Sequence, residues 1–142
     1  GGIGQGLQMA IGAKAAEPMK QVVAVCGDGG LFVNLGEMAT ATQENLPIVL
    51  VVFNDRGYGV IRNIQHAGYE GRIFGVDLEQ PDFLELAKMF GYEGFRVRKA
   101  KDFGSTMHKA LEAERPCLIE VETESVGPYA VPFGGPILDK RL

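Results

Sequence analysis

The stretch QVVAVCGDGGLFVNLGEMATATQENLPIVLVVFNDRGYG, residues 21–59, decides the fold. Two short apolar runs, Gln21–Cys26 and Ile48–Phe53, each end in a turn rich in glycine and polar oxygen: GDGG at 27–30 and NDRGYG at 54–59. Between them Leu31, Leu35, Met38 and Ala39 recur at helical spacing. Runs that are apolar almost throughout, rather than alternating, predict strands covered on both faces by helices, as in a parallel sheet. The unit is strand, turn, helix, strand, turn.

Outward from this unit the rhythm continues. Strands are expected at Phe95–Arg98 and Cys117–Val121, and helices where Phe83, Leu86, Ala87, Phe90 and then Phe103, Met107, Ala110, Leu111 recur. Asp82 and Asp102 are expected as N-caps and Gly91 as a C-cap, while Pro116 stops the last helix before the strand that follows. The whole predicts an α/β fold: an open three-layer α/β/α arrangement with a mostly parallel sheet. Gly59–Gln80 has no clean period and reads as an active-site loop, and Gly127–Leu142 as an irregular tail.

The chain has 142 residues, 46% hydrophobic and 23% charged, enough for one ordinary globular domain. Its net charge of −4 argues against a nonspecific hold on nucleic acid. No apolar run reaches the roughly 20 residues of a bilayer helix, and no secretion signal opens the sequence, so neither membrane nor export is expected and the cytoplasm is. Cys26 and Cys117 lie inside apolar runs and read as reduced, buried small hydrophobes. Glycine is the outlier: 20 of 142 residues, about twice the roughly 7% average.

The glycines gather where chemistry is expected. GGIGQG at 1–6 runs into a small, apolar helix, and glycines ahead of a helix let amides approach an anion or simply let the helix pack tightly. GDGG lies at the carboxyl end of a strand, where open α/β sheets bind ligands. Asp28 there can face a cation while the Gly29 and Gly30 amides face a phosphate. Asn54 and Asp55 offer further hard oxygens, and Gly57 frees a carbonyl to turn inward. Mg²⁺ favours octahedral oxygen ligation through one or two carboxylates plus substrate phosphates, so Asp28, Asp55 and the Gly57 carbonyl form a candidate set. Either turn alone could be structural; together, 27 positions apart, they specify a metal–diphosphate site.

At this point the chain resembles the thiamine diphosphate enzymes of the acetolactate synthase, benzoylformate decarboxylase and pyruvate decarboxylase type, in their C-terminal diphosphate-binding domain. GDG, about two dozen residues and then an Asn-containing pair is that family's signature, and the likeness runs from GGIGQGLQMAIGAKAAEP to the CLIEVE strand. The resemblance implies the thiamin diphosphate-binding fold, the cofactors thiamine diphosphate and Mg²⁺, and metal ligation by Asp28, Asp55 and the Gly57 carbonyl. It implies contacts from Gly29 and Gly30 to the diphosphate, with Tyr58, Gly59 and Val60 lining that site. Ile3 would be the apolar wedge beneath the bent cofactor, and Gly1 a backbone contact to the pyrimidine. The family usually carries Asn in place of Asp55 and often Ser in place of Gly30.

The resemblance further implies a lyase or transferase acting on a 2-oxo acid by decarboxylation or carboligation, as a homo-oligomer. Its activating glutamate belongs to the pyrimidine-binding domain of a neighbouring subunit, and no residue here matches it. No catalytic side chain is therefore expected in residues 1–142, which read as part of a longer chain and as inactive alone. Two other readings stand beside this one: the small subunit of a two-chain decarboxylase, and a nucleotide-binding oxidoreductase domain that GGIGQG permits. His66 could reach a substrate and Arg56, Arg62 and Arg72 could attract its carboxylate, with surface charge the default for each and for His108; Glu37 and Glu44 lack an acid–base partner spacing, and Val60 with Ile64 reads as an apolar pocket, or Ile64 as core.

Overall fold

The computed structural model describes residues 2–123, so the expectations for Gly1 and for the tail Gly127–Leu142 lie outside the described residues. Helix α1 (Gly6–Ala16) leads to strand β1 (Val23–Gly27), then α2 (Asp28–Val33), α3 (Glu37–Gln43) and β2 (Val49–Asn54). Helices α4 (Gly59–Gly68) and α5 (Phe83–Met89) precede β3 (Glu93–Val97), and α6 (Phe103–Glu112) precedes β4 (Cys117–Glu122). The four strands lie in the order β1-β2-β4-β3 and every pairing is parallel. The expected α/β fold with its parallel sheet is the observed one.

Because side chains alternate across a strand, the sheet divides the core in two. Ala24, Leu50, Val52 and Leu118 point to a face packed by Leu7, Met38, Ala41, Phe83 and Leu86 from α1, α3 and α5. Val49, Val51, Ile119 and Val121 point to the other, against Ala110, Met107 and Leu111 of α6. The central strands β2 and β4 are buried on both faces, as the apolar run of β2 predicts. Strand β1 departs from that expectation: Val25 is 62% exposed, because α6 packs on β3 and β4 and does not reach the edge.

Three other expectations are corrected. The single helix across Leu31–Ala39 is two helices: the chain breaks at Asn34, whose amide donates to the Gly4 carbonyl at 3.0 Å and ties the first glycine loop to the end of α2. Gly59–Gln80 is not all loop, since its first half is α4, a helix with no buried residue. Asp102 precedes α6 without a side-chain cap, and its carbonyl instead accepts the Ser105 and Thr106 hydroxyls. Asp82 does cap α5, accepting from the amides of Leu84 and Glu85, and Gly91 follows that helix at φ +78°, a conformation glycine adopts without a Cβ penalty.

Candidate metal and diphosphate site

Parallel pairing decides where the two motif turns meet. Gly27 at the end of β1 pairs with Phe53 near the end of β2, so the residues just beyond them, Asp28 and Asp55, emerge side by side at the carboxyl edge of the sheet. Asp28 is the first residue of α2 and is 1% exposed. Its Oδ2 accepts the Gly57 amide at 2.8 Å and the side-chain amide of Gln80.

The second turn is shaped by Asn54. Its Oδ1 accepts the Arg56 amide at 3.0 Å, and Arg56 sits in the left-handed region at φ +58°. Its Nδ2 donates to Glu120 Oε1 at 2.7 Å. Asn54 is therefore spent at both ends on the turn and on the sheet, which leaves Asp55 as the oxygen donor of this pair. The turn is also stitched to the segment after α4: Tyr58 N donates to Val76 O at 2.8 Å and Leu78 N to Arg56 O at 3.1 Å.

Close approach explains two of the glycines. A Cβ on Gly29 would stand 2.7 Å from the Tyr58 ring and 3.2 Å from the Gly57 carbonyl oxygen, so the first turn of α2 lies directly against the second motif. A Cβ on Gly59 would fall on Asp55 Oδ2. At Gly30 there is open space, so a serine side chain fits there without displacement. Gly4, Cys26, Gly30 and Asn34 border a small cleft that joins the first glycine loop to GDGG. Ile3 is 57% exposed and Val60 53%, and neither is covered by any described part of the chain.

Two carboxylates held together outside bulk water repel one another's charge. Burial, the neighbouring Asp28 charge and a hydrogen bond with Asp28 hold the Asp55 carboxyl above the usual carboxylate range, with Arg62 opposing. A divalent cation would relieve that repulsion. Among the described residues no group of three or more His, Cys, Asp or Glu side chains forms a metal site, so a third protein ligand has to come from backbone, and the Gly57 carbonyl is beside Gly29. Hard oxygens of this number and kind suit Mg²⁺ with diphosphate oxygens completing the shell. The amides of Gly29 and Gly30 in the first turn of α2, and of Gly59 and Val60 in that of α4, lack intrahelical acceptors and can meet an anion.

Asp55→Asn is expected to keep Mg²⁺-dependent cofactor binding, because an amide oxygen still ligates. A carboxyl with a raised pKa retains its proton to higher pH, and a cation must displace it. Affinity in the wild type therefore falls on acidification sooner than an ordinary aspartate would allow, and the asparagine variant loses less. Calorimetric titration across pH 5–8 reads both effects, and loss of binding in the variant would contradict the assignment of Asp55 to the ligand position.

Several of the remaining polar candidates have partners within the chain. Arg62 donates to Asp77 Oδ1 at 2.7 Å and to two backbone carbonyls of the turn, so it fastens the loop and does not stand free for a substrate. Arg72 donates to the Tyr69 carbonyl, His108 lies 3.2 Å from Glu112 on the surface of α6, and Glu37 accepts the Thr40 hydroxyl. Val60 and Ile64 are both exposed and form no core. Cys26 and Cys117 are free thiols, each pushed up to about 11 by burial, which suits the role of small hydrophobes.

Sequence reasoning missed a polar network at the same sheet edge. Glu120, 3% exposed, accepts Arg96 Nε at 2.6 Å, and Arg96 Nη2 donates to Asp82 Oδ2 at 2.6 Å. These residues border a polar cleft of about 690 Å³ together with Asn54, Arg56 and Gln80, beside the carboxylate pair. The available signal was the i, i+2 recurrence of charge at the strand ends, Glu120 and Glu122 against Arg96 and Arg98, which in register share a face.

The parallel sheet carries paired carboxylates and glycine turns at its carboxyl edge, an arrangement suited to an anionic cofactor held through a hard cation. The chain belongs to the thiamine pyrophosphate enzyme family, as its C-terminal TPP-binding domain, which matches residues 1–121. It is 33% identical to the probable acetolactate synthase large subunit of Methanocaldococcus jannaschii over 95% of this chain and 23% of that protein. It is 32% identical to the mitochondrial acetolactate synthase catalytic subunit of Saccharomyces cerevisiae over the whole chain and 21% of the relative. A solved thiamine diphosphate-dependent 4-hydroxybenzoylformate decarboxylase from Rhodococcus jostii superposes with a TM-score of 0.79 at 36% identity, over 85% of this chain and 23% of its own. The chain thus spans between a fifth and a quarter of the length of these relatives.

Proposed function

We propose that these residues hold the diphosphate–Mg²⁺ half of thiamine diphosphate within a larger 2-oxo acid decarboxylase or carboligase, most like acetolactate synthase. The observation that carries this reading is the meeting of Asp28, Asp55 and the Gly57 carbonyl at the ends of two adjacent parallel strands. In it, Asp28, Asp55 and Gly57 O ligate the cation, and the Gly29 and Gly30 amides take the diphosphate. Tyr58 packs the two turns together, and the positive end of α4, at Gly59 and Val60, faces the same anion. Ile3, exposed at the mouth of the first glycine loop, supports the cofactor from below, and Gly1 meets the pyrimidine.

Thiamine diphosphate, once held here, would supply a nucleophilic carbon and an electron sink for the chemistry of a 2-oxo acid. This domain binds and orients that group; the activating carboxylate comes from the pyrimidine-binding domain of a neighbouring subunit in a homo-oligomer. Relatives four to five times longer than the chain support one polypeptide carrying both domains over a separate small subunit. The domain alone is catalytically silent on this reading. No helix among the described residues is long and apolar enough to cross a membrane, and the free cysteines favour a reducing compartment such as the cytoplasm.

The test is an assay of the complete polypeptide with thiamine diphosphate and Mg²⁺ against a panel of 2-oxo acids. CO₂ release that requires both cofactors is expected for at least one aliphatic or aromatic member. Silence across the panel by a protein that binds the cofactor would overturn the assigned reaction.

A further inference from the structure

Two amides donate to Asp28, and only one of them belongs to the metal turns. The Gly57 amide and the Gln80 side-chain amide both donate to Oδ2, the latter from 52 positions further along the chain. Neither motif contains Gln80. Its placement is nonetheless built, because the segment 76–82 that carries it is tied down on both sides.

On the near side, Val76 O accepts the Tyr58 amide, Leu78 N donates to Arg56 O, and Asp77 takes Arg62 at 2.7 Å. On the far side Asp82 both caps α5 and accepts Arg96, which Glu120 anchors. Glu120 in turn accepts Asn54, so the fastening returns to the turn that holds Asp55. The ties at Val76, Asp77, Leu78 and Asp82 all fall within a few residues of Gln80.

We propose that Gln80 is a positioning residue for the metal ligand Asp28, and that residues 76–82 are a strap whose task is to deliver it. This rests on the reading above that Asp28 ligates Mg²⁺. With both donors on Oδ2, the carboxylate is locked in rotation and presents Oδ1 to the cation as a single-oxygen ligand. That geometry suits the small octahedral shell of Mg²⁺, whereas Ca²⁺ accepts carboxylates through both oxygens and tolerates a freely turning one. Hydrogen-bond partners behind metal ligands typically matter by about 10- to 100-fold in metal affinity.

The test uses the complete polypeptide with saturating thiamine diphosphate, titrated calorimetrically with Mg²⁺ and separately with Ca²⁺. Gln80→Met keeps the side-chain length and removes the donor; Gln80→Asn keeps the donor and loses the reach. Both are expected to weaken Mg²⁺ binding by about 10- to 100-fold and Ca²⁺ binding less, so that the preference for Mg²⁺ narrows. A purely structural role would lower the melting temperature and leave the Mg²⁺-to-Ca²⁺ ratio unchanged, and that outcome, or wild-type Mg²⁺ affinity in either variant, overturns the proposal. A wild-type protein that binds no Mg²⁺ with thiamine diphosphate overturns instead the reading on which it rests.

Discussion

Asp28→Ala abolishes Mg²⁺-dependent binding of thiamine diphosphate, with a loss beyond the roughly 100-fold expected for removing an outer partner alone. Asp28 is 1% exposed, and its carboxylate ties the first turn to the second through the Gly57 amide at 2.8 Å. The substitution removes one charge from the ligand set and also strands two donors, the Gly57 amide and Gln80, at about 1–3 kcal/mol for each one left unsatisfied. Part of that cost is offset, because Asp55 no longer faces a like charge. Asp28→Asn separates the two effects: it keeps the shape and removes the charge, so cofactor binding falls while the fold is largely retained. An alanine variant that binds the cofactor with wild-type affinity would remove Asp28 from the site.

Glu120→Ala is expected to be clearly destabilising, because it opens a buried polar network. The Glu120 side chain is 4% exposed and satisfies Arg96, itself 21% exposed, at 2.6 Å and Asn54 at 2.7 Å. Removing Glu120 strands the Asn54 amide and leaves Arg96 with Asp82 and Glu122, so the loss falls below the roughly 3–5 kcal/mol of a fully uncompensated buried partner, at about 2 kcal/mol. Urea unfolding measures it, and a loss below about 1 kcal/mol would show that water already satisfies the network. Glu120→Gln keeps an acceptor for Asn54 and should cost less.

Local pattern made the centre of the fold legible and left its margins obscure. Strands β2 and β4 are buried on both faces; the apolar run says so directly for β2, whereas β4 carries a buried Glu120 within its run. Strand β1 has a similar run, yet Val23 and Val25 are exposed, because a covering helix is a tertiary fact that no run of residues encodes. Helix α4 escaped for the related reason that Val60, Ile61 and Ile64, though helically spaced, face no core. The break at Asn34 depends on a bond to Gly4, 30 positions earlier, where a long-range contact overrides a helical period.

The site divides the same way. Asp28, Asp55 and the glycines around them were readable because each turn follows its strand directly and parallel pairing does the rest. Asn54 looked like a ligand and is a turn former, since Glu120, which claims its amide, lies 66 positions away. Gln80 had no local mark at all: its meaning comes from Asp28 and from a strap fixed by Arg62 and Arg96. The residues proposed to touch the cofactor carry a motif, and the residues that hold them in place do not.

The central claim is that the two turns form one cation–diphosphate site. It is tested most directly by titrating the complete polypeptide with thiamine diphosphate, with and without Mg²⁺, in an isothermal calorimeter. Saturable binding at one site per chain that requires Mg²⁺ and disappears in Asp28→Ala is the expected result. Binding that is equally tight without a divalent cation, or no binding at all, would contradict it.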